Sequence, residues 1–280
     1  MKKRDNKLAI VLSGGGMRCA HGAGLLYGLG TKLPHIKPDI IIAASGAAGA
    51  ATYYLTGQCS EIKEVWTKIL PKNKNFLSFL RIPFMDVDYL IDDVLHTMVP
   101  LDVEKLKNVV TDYFLPVRSI HSGKLSYLGN SHSFAAYECL RAAKAIPVVY
   151  NKNVTLNHDN YIDGFVGVST ITLIQKAVEE GATKILVIRD NTNRDQVQWF
   201  FTFILFRFFL KKKIVACIKR DKKAEAKYLV PAFIELKTID FSPSDVSLFD
   251  NSYNVMSRSF MSGESKIHPE AEVWKFINRV

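Results

Sequence analysis

The sequence predicts an α/β fold, a three-layer α/β/α sandwich around a mainly parallel central sheet. Short apolar runs alternate with segments of helix-forming residues, and the first two such runs lie at 8–12 and 40–44. Strands that are apolar on both faces and alternate with helices are typical of a parallel sheet covered on both sides. The chain has 280 residues, 48% of them hydrophobic, which is enough to bury one large core. We therefore expect a single domain over residues 1–280, with a peripheral apolar and basic segment at about 195–228.

The order of the predicted elements follows from these runs. The strand at 8–12 enters a glycine loop and then a helix at 17–30, and the strand at 40–44 enters a helix rich in alanine. Farther along we expect helices at 102–114, 134–145 and 170–180, and strands at 117–120, 125–128, 154–163, 184–189 and 233–239. Asp102 is placed to begin the first of these helices as its N-cap.

Charge and cysteine usage limit the classes of function. The formal net charge is +10, and much of it lies in a basic block at 211–227. The cysteines are far apart and form no C-x-x-C pair, which argues against a zinc site and favours a reducing compartment. An acidic cluster has no histidine nearby, so we interpret it as a solvated face and expect neither a metal nor a cofactor. The cluster consists of Asp86, Asp88, Asp92 and Asp93.

No segment predicts a leader or a membrane span. The run at 8–12 is too short for a signal-peptide core, and the run at 199–210 is well short of the roughly 20 residues that span a bilayer. We therefore expect a cytoplasmic protein, with peripheral membrane contact as an open alternative. Specialised secretion needs no cleavable signal and also stays open. Nothing in the sequence indicates an oligomeric state.

Ser45 is the first candidate catalytic residue, because it directly follows a buried strand and precedes very small residues. This is the setting of a nucleophile elbow, which holds a serine in a strained turn and needs small residues two places before and after it. Glycine usually fills both places, and here they are Ala43 and Ala47. Taken alone, the pattern is more typical of a serine that caps the second helix.

The glycine loop is the second candidate site and comprises Gly14, Gly15, Gly16, Met17 and Arg18. The first turn of a helix leaves N–H groups unpaired, and glycines let a ligand approach them, so the loop suits a phosphate or a developing oxyanion. A dinucleotide-binding fingerprint, G-x-G-x-x-G, would need a sixth-position glycine where Cys19 stands. A dinucleotide-binding enzyme is therefore a weaker alternative.

The third candidate is Asp163, which ends a predicted strand and is followed by Gly164. Together, Gly14-Gly-Gly-Met-Arg18, the Ser45 elbow and Asp163-Gly164 resemble the patatin-like phospholipase family in order and spacing. That family has G-G-G-x-R-G, a serine elbow about thirty residues later, and D-G-G or D-G-A downstream. The stretch Arg141-Ala-Ala-Lys-Ala-Ile-Pro147 also resembles its A-S-x-A-x-P motif.

The resemblance implies a lipid acyl hydrolase that uses a Ser–Asp dyad and no catalytic histidine. Ser45 would be the nucleophile and Asp163 its base, with the glycine-loop amides as the oxyanion hole and Arg18 positioning the loop. The chain departs from the family pattern at Ala43, Ala47, Cys19 and Phe165. These departures leave open an alternative, a catalytically silent protein of the same fold that binds membrane lipid.

The peripheral segment predicts a partner. The stretch from Trp199 to Lys213 joins an aromatic, apolar run to three lysines, a combination that suits the headgroup boundary of an anionic membrane. A core helix with a solvated basic end is an equally good interpretation. Nucleic acid is disfavoured, because the basic block contains no interleaved aromatic residues. The expected partners are thus a lipid or phospholipid substrate and an anionic membrane surface.

Overall fold

The computed structural model describes residues 6–78, 80, 83–130, 135–147, 149–150, 152–190, 210–241 and 248–279. Its strands are β1 (Leu8–Leu12), β2 (Ile40–Ala43), β3 (Asp112–Ser119), β4 (Leu125–Gly129), β5 (Val154–Leu156), β6 (Asp159–Asp163), β7 (Lys184–Asp190) and β8 (Glu235–Phe241). Its α-helices are α1 (Ala20–Lys32), α2 (Ala47–Thr56), α3 (Cys59–Glu64), α4 (Val103–Lys107), α5 (Ala136–Ala142), α6 (Thr170–Glu179), α7 (Lys212–Glu225), α8 (Tyr253–Glu264) and α9 (Glu272–Asn278). A 3₁₀ turn spans Gly16–Cys19, and π-helical stretches span Val65–Ile69 and Tyr89–Met98.

The strands form one mixed sheet whose central part is parallel. β8, β7, β1, β2 and β3 lie side by side in that order and run in the same direction. β4 and β6 pair with β3 in the antiparallel sense, and β5 pairs with β6 as a hairpin. The predicted fold class is confirmed.

Alternate residues of the central strands bury opposite faces of the sheet. Ile10 of β1 packs into the larger cluster, which includes residues of α1, α2, α5 and α8. Its neighbour Val11 packs into the other cluster, against Leu173 and Ala177 of α6. Since successive side chains of a strand point to opposite faces, the two clusters are the two helical layers of the sandwich.

β3 brings two distant segments of the chain together. Phe114 pairs with β2 and with β4, and Val117 pairs with β6 and with β4, so β2 and β6 share one edge of β3. β2 runs parallel to β3 and β6 runs antiparallel to it, so their carboxyl ends converge on that edge. Ser45 follows β2 and Asp163 ends β6, which explains how residues 118 positions apart in the sequence (163 − 45) come to face each other.

The helix predicted at 102–114 is wrong over its second half. Asp102 does cap a helix, with its carboxylate accepting a hydrogen bond from the Lys105 amide at 2.9 Å, but α4 ends at Lys107. β3 begins at Asp112, where the chain pairs with β2. The residues just before β3 are the β-branched Val109, Val110 and Thr111, which favour extended backbone. The residues that follow them find hydrogen-bonding partners along β2. Tertiary pairing thus overrides the helical extension.

The remaining predicted elements are found with shifted ends. The strands predicted at 154–163 are the β5–β6 hairpin, whose turn residues Asn157 and His158 have positive φ. Most of the apolar run of the peripheral segment, 199–209, lies outside the described residues, whereas most of the basic block forms α7. The single-domain expectation stays a prediction. Among the described residues, no helix is both long and apolar enough to cross a membrane.

Candidate active site

Ser45 occupies a strained turn between β2 and α2. Its φ is 49°, in the left-handed region that costs a non-glycine residue about 1–3 kcal/mol, and such strain is concentrated at functional sites. Ala43 and Ala47 are both buried, so the two extra methyl groups are accommodated in the core. Alanine is therefore small enough for an elbow at this position.

The Ser45 side chain lies within reach of the carboxylate of Asp163, and its interaction lowers the pKa of that carboxyl. Asp163 also accepts a hydrogen bond from the Phe165 amide at 2.8 Å, which orients the carboxylate toward the elbow. Only 1% of its surface is exposed. Burial raises the pKa of the Asp163 carboxyl to about 6, although the interaction with Ser45, the hydrogen bond from Phe165 and the charge of Lys144 act in the opposite direction. The carboxyl is thus a stronger proton acceptor than an exposed aspartate and is still ionised at neutral pH.

Gly164 allows the backbone beside Asp163 to lie in close contact with the backbone of β3. A Cβ at this position would lie 2.4 Å from backbone atoms of Pro116 and Val117. The Gly164 amide also donates to the Pro116 carbonyl at 3.2 Å. The glycine after the aspartate is therefore required by backbone contact.

The glycine loop lies directly beside Ser45. A Cβ on Gly14 would lie 2.9 Å from the Cβ of Ser45, and Gly16 has a φ of 55°. Within the described part of the chain, the amides of Gly15 and Gly16 donate to no backbone carbonyl. The Met17 amide donates to the Leu248 carbonyl at 3.0 Å. In this conformation, then, Gly15 and Gly16 carry the available donors of the loop, and Met17 joins them only after release from Leu248.

The departure at Cys19 has a structural compensation. Gly46 follows Ser45, and a Cβ there would lie 2.7 Å from the Gly16 carbonyl and 3.0 Å from the sulfur of Cys19. Because residue 46 has no side chain, the larger residue at 19 fits between the loop and the elbow. Cys19 is buried, as expected of a packed residue, but it lies in the 3₁₀ turn before α1.

Lys144 is a site residue that the sequence analysis did not single out. Its ammonium donates to the backbone carbonyl of Ser45 at 2.8 Å, and the side chain is buried. Burial lowers the pKa of the Lys144 ammonium to about 8, while the charge of Asp163 acts in the opposite direction. A buried cation is costly unless it is paired. The Ser45 carbonyl and the negative charge of Asp163 compensate this cost for Lys144. The available signal was one charged residue among Ala142, Ala143, Ala145 and Ile146.

Two spaces of different character meet at Ser45. One is an open groove of about 730 Å³ whose lining includes the glycine loop, Asp163, Phe165 and part of α7. The other is a narrow apolar pocket with about 50 Å³ of free space that extends between α2 and the π-helical stretches. Its lining includes Gly49, Tyr53, Val65, Trp66, Leu70, Phe76, Leu90 and Leu95. The elbow thus presents one hydroxyl to a wide groove of mixed polar and apolar lining and to a narrow apolar pocket.

Arg18, the last residue of the glycine loop, is buried and lines the groove. His21 stacks on Phe241 at 4.5 Å and is absent from the groove lining. The acidic cluster is not simply solvated, because Arg141 pairs with Asp88 and Asp92. Among the residues that the structure describes, no group of three or more potential ligands is arranged to hold a metal ion.

An α/β sandwich with a serine elbow, a glycine loop and a facing aspartate is the arrangement of a lipase-like protein. A family model for patatin-like phospholipase matches residues 10–170, more than half of the chain. The chain belongs to the patatin-like phospholipase family, and the resemblance seen in its motifs is confirmed. The family is one of lipid acyl hydrolases.

Two individual proteins are similar to the chain. The "Uncharacterized protein YjjU" of Escherichia coli strain K12 is 26% identical over 194 residues, which are 66% of this chain and 52% of that protein. The chain thus spans about half the length of this curated relative. The crystal structure of VipD from Legionella pneumophila matches 93% of this chain and 67% of its own, with 11% identity and a TM-score of 0.43.

Proposed function

We propose that the chain hydrolyses carboxylic esters of lipids through an acyl-enzyme formed on Ser45. The observation that carries the proposal is that a strained, elbow-held serine shares one groove with a buried carboxylate whose pKa is raised to about 6. Such a carboxylate is suited to accept a proton at neutral pH, and the strain points the hydroxyl outward for attack.

The reaction proceeds in two halves. The Ser45 oxygen attacks the ester carbonyl while Asp163 takes the hydroxyl proton, and the resulting oxyanion accepts hydrogen bonds from Gly15 and Gly16. The carbon–oxygen bond to the alcohol then breaks, and Asp163 gives the proton to the departing alkoxide. Water attacks the acyl-enzyme in the same way, with Asp163 passing the proton back to Ser45 as the carboxylic acid leaves.

Lys144 acts as a positioning residue in this scheme. Its ammonium holds the Ser45 carbonyl, which fixes the elbow, and its charge keeps Asp163 ionised. Neither action requires contact with the substrate.

The two spaces at Ser45 support a division of the substrate. The apolar pocket suits the acyl chain, because its walls are aliphatic and aromatic, and the more polar groove suits the alcohol part or headgroup. A single water needs roughly 10–15 Å³, so 50 Å³ admits a short chain without rearrangement. We expect short acyl chains to be preferred among soluble esters.

The test of the proposed function is labelling by a fluorophosphonate, which reacts with activated serines and needs no knowledge of the true substrate. We expect the native chain to be labelled and Ser45→Ala to show no labelling. Ser169→Ala is the matched control, since Ser169 lines the same groove but caps α6 by accepting from the Ile171 amide. Loss of this helix cap should lower the free energy of unfolding by about 1 kcal/mol and leave labelling intact. An unlabelled native chain in the presence of liposomes would instead favour a silent lipid-binding protein.

Chain-length preference tests the apolar pocket. Gly49 lies on α2 and lines the pocket, and a Cβ there would meet nothing within 4 Å. We expect Gly49→Leu to fill the pocket and to lower kcat/KM for a butanoyl ester about 10-fold, because the two extra methylene groups of its chain would lose their apolar burial. An acetyl ester should be little affected.

Gly49→Ala is the control for this experiment. One methyl group adds little volume, and replacing a helical glycine by alanine stabilises by about 0.5–1 kcal/mol. Equal losses for acetyl and butanoyl esters in Gly49→Leu would place the acyl chain outside this pocket.

A further inference from the structure

Helix α7 presents a basic surface. Its exposed cationic residues are Lys212, Lys213, Lys219, Arg220, Lys222 and Lys223. Lys212, Lys219 and Lys223 are spaced by seven and four residues, so they form one stripe along the helix. We call these three residues the basic stripe.

The opposite side of α7 is fixed to the body of the protein. Ile214 and Ile218 are buried against Val166, and Asp221 forms a 2.9 Å ion pair with the fully buried Arg118 of β3. An ion pair with a buried guanidinium and two buried isoleucines leaves the helix little freedom to rotate. The basic stripe is therefore held toward the solvent.

Both acidic residues of α7 bind groups on the side of the helix that faces the body of the protein. Asp221 binds Arg118 and also Arg220, while Glu225 accepts from the Ser169 amide at 2.7 Å and from the Thr172 hydroxyl. The helix thus directs its negative charges inward and its positive charges outward. Within the described part of the chain, no ion pair neutralises the basic stripe.

The same helix is a wall of the groove. Lys222, Glu225 and Ala226 line it together with Ser45 and Asp163. Three residues beyond Ala226, Leu229 is 86% exposed. Exposed lysines and an exposed apolar side chain thus follow one another along the chain that forms this wall, and peripheral proteins use this combination to hold the headgroup boundary of a bilayer.

We propose that the outer face of α7 docks the protein on an anionic phospholipid surface and brings the groove to the lipid. This inference rests on the proposed function, because a lipid esterase must meet its substrate at such a surface. An anionic bilayer complements the charge of the stripe and also accepts the exposed Leu229. A nucleic acid would complement only the charge, since α7 offers no aromatic residue for stacking on bases.

The test measures binding to vesicles of phosphatidylcholine with or without phosphatidylglycerol. We expect the native chain to bind the anionic vesicles preferentially and to release them in 0.5 M salt, where surface charges are screened. The triple change Lys212→Glu, Lys219→Glu and Lys223→Glu should weaken this binding about 100-fold or more.

The control reverses the same number of charges elsewhere. Lys37, Lys105 and Lys107 are exposed and lie before the amino ends of β2 and β3, at the edge of the sheet away from Ser45. Changing all three to glutamate should weaken vesicle binding far less than changing the basic stripe. Equal weakening would show that only net charge matters and would overturn the proposal, as would tighter stripe-dependent binding to duplex DNA than to vesicles.

Fluorophosphonate labelling of the same variants separates the two proposals. Stripe variants that keep their labelling but lose the vesicles support docking on an active enzyme. A native chain that is labelled but ignores anionic vesicles overturns docking and leaves the hydrolase proposal intact. Stripe-dependent vesicle binding by a chain that is never labelled supports docking and overturns hydrolysis.

Discussion

Asp163→Asn is expected to lower kcat/KM for a soluble short-chain ester by about 10²–10⁴-fold, the usual contribution of a positioned general base. Asparagine keeps the size of the side chain and an oxygen that can accept hydrogen bonds from Ser45 and Phe165. It has no basicity, however, so the hydroxyl proton has no acceptor. The loss should therefore appear in turnover more than in protein stability.

The same residue predicts the acid side of the pH profile. The native carboxyl has a pKa of about 6, so kcat/KM should fall as the pH drops through 6 and the base becomes protonated. An unperturbed aspartate would keep its activity down to about pH 4. The residual activity of Asp163→Asn should lack this limb.

A double variant distinguishes a shared mechanism from two independent defects. Residues that act as one unit are strongly non-additive, so Ser45→Ala with Asp163→Asn should be little worse than Ser45→Ala alone. Asp159→Asn is the matched control, because Asp159 begins the strand that Asp163 ends. Near-native kinetics in Asp163→Asn, with a folded protein, would assign the proton transfer to another group.

Sequence reasoning succeeds where a local pattern determines the structure. Apolar runs ending in small residues specify buried parallel strands, and the elbow at Ser45 and the glycine loop each lie within a few residues of such a run. The family motif adds Asp163, which local pattern alone interprets as a turn. What brings Asp163 to Ser45 is the shared edge of β3, and that pairing is a property of the sheet.

The misjudged features depend on tertiary contacts. The helix at 102–114 gives way to a strand because β2 offers the residues from Asp112 a partner. The acidic cluster looked solvated because Arg141, which neutralises Asp88 and Asp92, is about fifty residues away in the sequence. The apolar pocket at Ser45 was not predicted, since residues such as Trp66 and Leu95 are ordinary core residues until their distance from Ser45 is known.

Lys144 shows how a motif can hide a candidate site residue. It stands at a variable position of the A-S-x-A-x-P stretch, where the family pattern assigns no role. Ala145, the residue after Lys144, accepts a hydrogen bond from the Asp163 amide through its carbonyl at 3.0 Å. This stretch therefore contacts the candidate base directly. A lysine here enters the buried space between Asp163 and the Ser45 carbonyl.

Lys144→Met is accordingly expected to lower kcat/KM at neutral pH by about 10- to 100-fold, the range of one charge-assisted hydrogen bond. It also removes the charge that lowers the pKa of Asp163, so the acid limb should move to higher pH. In the native chain the ammonium has a pKa of about 8, and activity should also decline as the pH rises through 8. Lys144→Met should lack this alkaline limb.

Lys144→Gln separates the hydrogen bond from the charge. A glutamine can donate to the Ser45 carbonyl but carries no proton that titrates, so it should recover part of the rate while the alkaline limb stays absent. If Lys144 had only a structural role, both variants would instead be less stable. The acid and alkaline limbs of their pH profiles would then stay where the native chain has them.

The buried ammonium of Lys144 also predicts how stability depends on pH. Burial depresses its pKa, so its charged form destabilises the folded chain. The free energy of unfolding should therefore rise between about pH 8 and the ordinary lysine value near 10.4. Lys144→Met should flatten that rise, which chemical denaturation at several pH values measures independently of any ester.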